Sequence, residues 1–158
     1  MKRLAFLVRL YGTQSFYAIV RPVRRAYWFV VRPHRRGAKC VVTCDGEILL
    51  VKLNYLHRSW TFPGGGVHHN ESDEVGALRE LKEETGIATH SATRIGEYVN
   101  DSDYRKVHIV LFHIELPEKQ TPVSDGIEIS EAAWFRRDQL PENRVARVDF
   151  ILGFLPLK

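Results

Sequence analysis

Long apolar runs are absent from this 158-residue chain. No stretch approaches the ~20 consecutive apolar residues of a membrane-spanning helix. Cysteine is nearly absent too: Cys40 and Cys44 are the only two, which argues against a disulfide framework and a cysteine-based metal site. They lie four residues apart in a strand-like run, so their side chains point the same way and read as buried thiols in a reducing compartment. There is no internal repeat and no low-complexity tract. The length and a hydrophobic content of 44% fit one domain with a core of its own.

Acidic residues are missing from the first 44 positions, which hold ten Lys or Arg. The other 114 residues hold 13 basic and 19 acidic side chains, a net of −6, so the overall +4 conceals a basic arm on an acidic domain. Residues 1–36 are accordingly read as a basic, apolar-rich extension and residues 37–158 as the domain. Arg9 interrupts the first apolar run and no small-residue cleavage site follows it, which argues against a signal peptide. Pro22 and Pro33 divide the arm into pieces. Three readings of it stay open: packing on the domain or on a second copy in a homodimer, lying on an anionic membrane surface, or contacting nucleic acid or a phosphate-rich substrate. The location expected is cytoplasmic, with peripheral membrane attachment through residues 1–36 as the alternative.

The chemistry concentrates between Gly65 and Ile87, which reads GGVHHNESDEVGALRELKEETGI. The spacing predicts a helix from about Asp73 to Thr85, with Ser72 or Asp73 as N-cap and Gly86 just past the C-terminus. Val75, Leu78 and Leu81 form its apolar stripe. Glu80, Glu83 and Glu84 are three or four residues apart or adjacent, and share a face. Like charges at this spacing destabilise a helix by a few tenths of a kcal/mol per pair, and the macrodipole disfavours anions near its C-terminus. A bound cation would offset both. Oxygen donors select Mg²⁺, Mn²⁺ or Ca²⁺ over zinc.

The pattern Gly65-x5-Glu71-x7-Arg79-Glu80-Leu81-x-Glu83-Glu84-x-Gly86-Ile87 resembles a complete Nudix box. The likeness extends from roughly Gly37 to Leu140. It takes in Trp60-Thr61-Phe62-Pro63-Gly64-Gly65 before the box, then Glu131-x-x-Trp134-Phe135 and Leu140-Pro141 as a closing strand and short helix. The resemblance implies an α/β (α+β mixed) fold, the Nudix-type α/β/α sandwich with a mixed β-sheet. It implies a pyrophosphohydrolase that uses Mg²⁺ (or Mn²⁺) on a nucleoside diphosphate-linked substrate. It also implies metal ligation by Glu80, Glu83 and Glu84, with Arg79 holding a carboxylate such as Glu71. Glu80 and Glu83 are both candidates for the general base. Two positions depart from the family pattern. His68 stands where an acidic residue is common, and Asn70 stands where a glycine is common.

Outside the box, strand-like runs cover Ala38–Cys44 and Glu47–Leu53, joined by the hairpin turn Asp45-Gly46, then Thr93–Val99, Lys106–Glu115 and Ala132–Phe135. A helix is expected from Arg137 into Leu140. Candidate substrate contacts are Tyr55 for base stacking, Arg58 for a phosphate, and Tyr104, whose place resembles the pattern of Nudix diadenosine-polyphosphate hydrolases. Glu128, in the loop before the last strand, is a candidate further ligand or base. Two alternatives to a nucleotide hydrolase stay open: a non-catalytic nucleotide-binding module on the same fold, and a peripheral-membrane hydrolase of a lipid-linked diphosphate.

Overall fold

The structure is a computed structural model, and it describes residues 34–54, 58–102, 105–124, 126 and 128–155. The arm before His34, Tyr55 and Tyr104 lie outside the described residues. The chain forms two compact units: Arg35–Val99 with His108–Lys158, and Met1–His34 with Asn100–Val107. The first unit contains the whole of the Gly65–Ile87 segment.

Strands β1 (His34–Cys44) and β2 (Glu47–Leu53) form the expected hairpin, with Thr43 opposite Ile48 and Cys44 opposite Glu47. Asp45 and Gly46 both take positive φ at its turn, as a type I′ hairpin demands. The short strand β3 (Trp60–Thr61) pairs with β2 through Val51–Thr61 and Lys52–Trp60. The segment after β3 runs along β1, where the amides of Cys40 and Ala38 donate to the carbonyls of Pro63 and Gly65. Helix α1 is Asp73–Thr85. Strands β4 (Thr93–Ser102) and β5 (Arg105–Glu115) come next, then β6 (Ile129–Arg136), which pairs antiparallel with β2. Helix α2 (Arg147–Leu152) comes last. The sheet order is β3-β2-β1-β5-β4, with β6 also on β2.

Strand alternation places the helices on opposite faces. Ala38, Cys40, Val42 and Cys44 of β1 join Val110, Phe112 and Ile114 of β5 and pack against Ala77 and Leu81 of α1. Val41 and Leu111 point the other way, into a second core with Ile48, Leu50, Trp60, Phe62 and, from α2, Val148, Ile151 and Leu152. The result is a layered α/β/α arrangement. Both thiols are free and buried. That of Cys40 donates to the carbonyl of Ala77 at 3.3 Å, and burial pushes its pKa up to about 12.

Two expectations need correction. The stripe on α1 does not run through Val75, which is 55% exposed; Gly76, Ala77, Leu81, Glu84 and Thr85 are buried instead. Ala77 and Leu81 meet the sheet core, while Gly76 faces the loop at Val67 and Glu71. The helix expected at Arg137–Leu140 is a turn, closed by Gln139 N–H on the carbonyl of Arg136 at 3.0 Å. Pro141 disfavours helical backbone at Leu140, and the last helix begins only at Arg147.

Candidate active site

Helix α1 starts and stops on local signals. The Ser72 hydroxyl accepts the Val75 amide at 3.2 Å, and Gly86 closes the C-terminus in the left-handed region with its N–H on the carbonyl of Lys82. The helix carries Glu80, part-buried, and Glu83, exposed, beside Glu71 of the preceding loop. They are organised by Arg79, whose five guanidinium donors are all engaged. Nε and Nη2 grip the two oxygens of Glu71 at 3.2 and 2.7 Å. Nη1 reaches Glu80 Oε1 at 2.7 Å and Glu83 Oε2 at 3.2 Å. Nη2 also donates to the carbonyl of Gly66 at 2.9 Å. One oxygen each of Glu80 and Glu83 is left outside this grip. Glu71 further accepts the His68 amide at 2.7 Å. The Arg79 hydrogen bonds, then that amide, hold the Glu71 pKa down at about 2.

Glu84 is set differently. It is 8% exposed, and its Oε2 accepts the Gly64 amide at 2.8 Å. Burial pushes its pKa up to about 7; the Gly64 N–H and the charge of Lys39 act against that rise, while Glu80 and Glu128 reinforce it. The glycines bring loop and helix together. Gly64 sits at φ 133°, where L side chains rarely go, pressed on the β1 backbone. A Cβ at Gly65 would lie 2.5 Å from Glu80 Oε2.

The residues singled out in the sequence therefore divide. Gly65, Glu71, Arg79, Glu80 and Glu83 form one group, and Glu84 joins it through the glycine loop. Glu128 is near enough for its charge to register at Glu84. His68 is exposed, with Nδ1 3.7 Å from Glu71. Arg58 is exposed and at positive φ, and its carbonyl accepts from Asn143. Three residues went unread in the sequence. Arg36 ties Asp73 and the carbonyls of His68 and Glu71 to β1. Gly76 leaves room on the helix for Val67 and Glu71. Lys39 places its Nζ 2.9 Å from the carbonyl of Phe62. The last had a signal: it is the one charged residue between Gly37 and Cys44.

A NUDIX domain family model matches residues 33–152, most of the chain. The chain belongs to the NUDIX domain family. This Nudix chain is 33% identical over 109 residues to a provisionally named 8-oxo-dGTP diphosphatase of Bacillus subtilis (strain 168), covering 68% of this chain and 70% of that protein. It is 32% identical over 97 residues to the NAD-capped RNA hydrolase NudC of Mycobacterium tuberculosis (strain ATCC 25177 / H37Ra), covering 61% of this chain. The match spans only 30% of NudC's length. Among solved structures it resembles a MutT NUDIX hydrolase from Burkholderia pseudomallei, with a TM-score of 0.71 and 24% identity over 78% of this chain and 99% of that one. That likeness shows the fold.

Among the described residues, no three His, Cys, Asp or Glu side chains are gathered closely enough to cage a cation unaided; Arg79 is what gathers Glu71, Glu80 and Glu83. The donor set nonetheless suits a hard divalent ion. All its donors are carboxylate oxygens, Glu80 and Glu83 each keep an oxygen outside the Arg79 grip, and the buried Glu84 has acidic neighbours whose repulsion a cation would relieve.

Proposed function

We propose that this Nudix domain hydrolyses a phosphoanhydride bond in a nucleoside diphosphate-linked substrate, with Mg²⁺, or Mn²⁺ in its place, held by Glu80, Glu83 and Glu84. The observation that carries this reading is the joining of helix and loop: Glu84 on the Gly64 amide, and Glu80 and Glu83 on Arg79, itself anchored by Glu71. The names of two relatives support the substrate class, since NAD-capped RNA and 8-oxo-dGTP both contain nucleoside phosphoanhydrides. We also propose the division into a basic extension, residues 1–36, and the hydrolase domain, residues 37–158, on the charge asymmetry of the two parts.

The chemistry supplied by Mg²⁺ in such a site is neutralisation of phosphate charge and acidification of water. The protein supplies the rest. A carboxylate oxygen of Glu80 or Glu83 takes the proton of the attacking water. Attack at phosphorus in line with the leaving oxygen then expels a phosphate group. Arg79 and Glu71 keep the carboxylates in register, so little reorganisation is left for the reaction itself. The glycine loop exposes backbone beside the carboxylates, which lets a phosphate chain approach closely.

The test is product analysis by mass spectrometry. The protein is incubated with Mg²⁺ and a panel of nucleoside triphosphates, dinucleoside polyphosphates, ADP-ribose, nucleotide sugars and capped RNA, beside a Glu84→Gln control. Cleavage by the wild type alone supports a hydrolase and names its substrate class. No cleavage with either Mg²⁺ or Mn²⁺ would favour a binding module or a lipid-linked substrate.

A further inference from the structure

The turn that carries Glu71 is held by two guanidinium groups, and only one of them belongs to the helix. Arg79 grips the Glu71 carboxylate. Arg36, on β1, grips the backbone of the same turn. Its Nη2 donates to the carbonyls of His68 and Glu71 at 3.1 and 3.0 Å. Its Nη1 donates to Asp73 Oδ1 at 3.1 Å, in the first turn of α1. Between these grips the turn closes on itself, with the His68 amide on Glu71 Oε1 at 2.7 Å. Alternation along β1 puts Arg36 on the face of Ala38, Cys40 and Val42, which is the α1 face. The main chain of β1 is tied to the glycine loop at the same place. The Val67 amide donates to the Arg36 carbonyl at 3.1 Å, the Ala38 amide donates to the Gly65 carbonyl at 3.0 Å, and Gly37 stands opposite Gly66. The Gly66 carbonyl in turn accepts Arg79 Nη2 at 2.9 Å.

Arg36 is 45% exposed, and an exposed ion pair contributes little, so the Asp73 contact does not account for this residue. The two carbonyl bonds are different in kind. They are charge-assisted, and one planar fork makes them together with the third, which a lysine ammonium has no geometry to copy. Their effect passes along a chain of contacts. The Glu71 backbone sets the Glu71 carboxylate, the carboxylate sets Arg79, and Arg79 takes one oxygen each of Glu80 and Glu83. Without the hold of Arg36 the turn is free to shift on β1, and the carboxylate shifts with it. We infer that Arg36 is a positioning residue of the carboxylate site: by clamping the carbonyls of His68 and Glu71 it keeps Glu71 in register with Arg79, and so raises the site's affinity for a divalent cation. This rests on the reading of Glu80, Glu83 and Glu84 as metal-holding residues.

The test is Mn²⁺ binding to the purified full chain, without substrate, followed by electron paramagnetic resonance of the free ion. Arg36→Met should bind Mn²⁺ about ten to a hundredfold more weakly than wild type, the range seen when a group that orients metal ligands is lost. The sign is informative, because removing a positive charge near a cation site would by itself tighten binding. Arg36→Lys keeps the charge and loses the fork; it should also bind more weakly, and it serves if the methionine variant does not fold. Asp73→Asn leaves both carbonyl bonds and should bind like wild type. In the same proteins, the Arg79 Nε–H resonance should exchange slowly with water in wild type and fast in Arg36→Met, a change that a loss of overall stability alone would not produce. Unchanged or tighter Mn²⁺ binding in the Arg36 variants overturns the inference, as does an equal loss in Asp73→Asn. If the Arg36 variants bind like wild type while Glu84→Gln abolishes binding, the metal-site reading survives alone. If wild type also fails to bind Mn²⁺, both fall.

Discussion

The two described helices lie on opposite faces of one sheet and are held there by different physics. Helix α2 is six residues long, has no side-chain N-cap, and buries Val148, Ile151 and Leu152. Around it the aromatic rings of Tyr98, Phe150 and Phe154 meet edge to face, with Arg147 stacked over the first two. Helix α1 buries only Ala77 and Leu81 as apolar side chains, alongside Gly76, Glu84 and Thr85. Caps, glycines and the Arg79 network do the rest. The difference shows where each helix's contribution lies. Helix α2 contributes buried apolar side chains, whereas α1 carries Glu80, Glu83 and Glu84 close together.

The largest effect expected from breaking this contrast is catalytic. Glu83→Gln or Glu84→Gln should lower turnover by about two to four orders of magnitude, the range of lost proton-transfer or charge-stabilising groups, while thermal unfolding stays close to wild type. Wild-type-like turnover in both variants would sink the metal-site assignment. On the other face, Ile151→Ala should cost about 2–5 kcal/mol of stability by leaving a cavity in a fully packed core. Urea unfolding reads this directly, and kcat per folded molecule should not change.

Ser72→Ala removes the α1 cap and should cost about 1 kcal/mol, again by urea unfolding; no cost would mean that the Arg79 network alone fixes the start of the helix. The last expectation concerns acid. Glu71 is held near 2, against an ordinary value of 4.5. A depressed carboxyl contributes stability that is fully present above its unfolded value and is lost as pH falls from there through about 2. Between those limits Glu71→Gln should lose less stability with falling pH than wild type, and parallel acid titrations of the two would contradict the Arg79–Glu71 pairing.

Legibility in the sequence divides the same way. Helix α1 was legible to the residue, Asp73 to Thr85, because Ser72, Gly86 and the spacing of Glu80, Glu83 and Glu84 are local signals. The β1–β2 hairpin was legible for the same reason, with Asp45-Gly46 dictating the turn. Helix α2 was not, since RVDFIL has neither cap nor period enough to declare itself, and tertiary packing decides it. Val75 looked apolar and inward by spacing, but tertiary packing turns Ala77 and Leu81 to the sheet core and leaves Val75 exposed. Lys39 and Arg36 were hidden for a related reason: their partners lie 23 to 37 residues away in sequence. Only the crossing of β1 with the glycine loop brings them together.

The central claim is that the α1 carboxylates and the glycine loop support Mg²⁺-dependent attack of water on a phosphoanhydride. Incubation in ¹⁸O-labelled water, with the best substrate from the panel, tests it most directly. The expected result is label in one phosphate-bearing product, present with Mg²⁺, lost in chelator and lost in Glu84→Gln. Label that persists in chelator, or equal label in the Glu84→Gln protein, would contradict the claim.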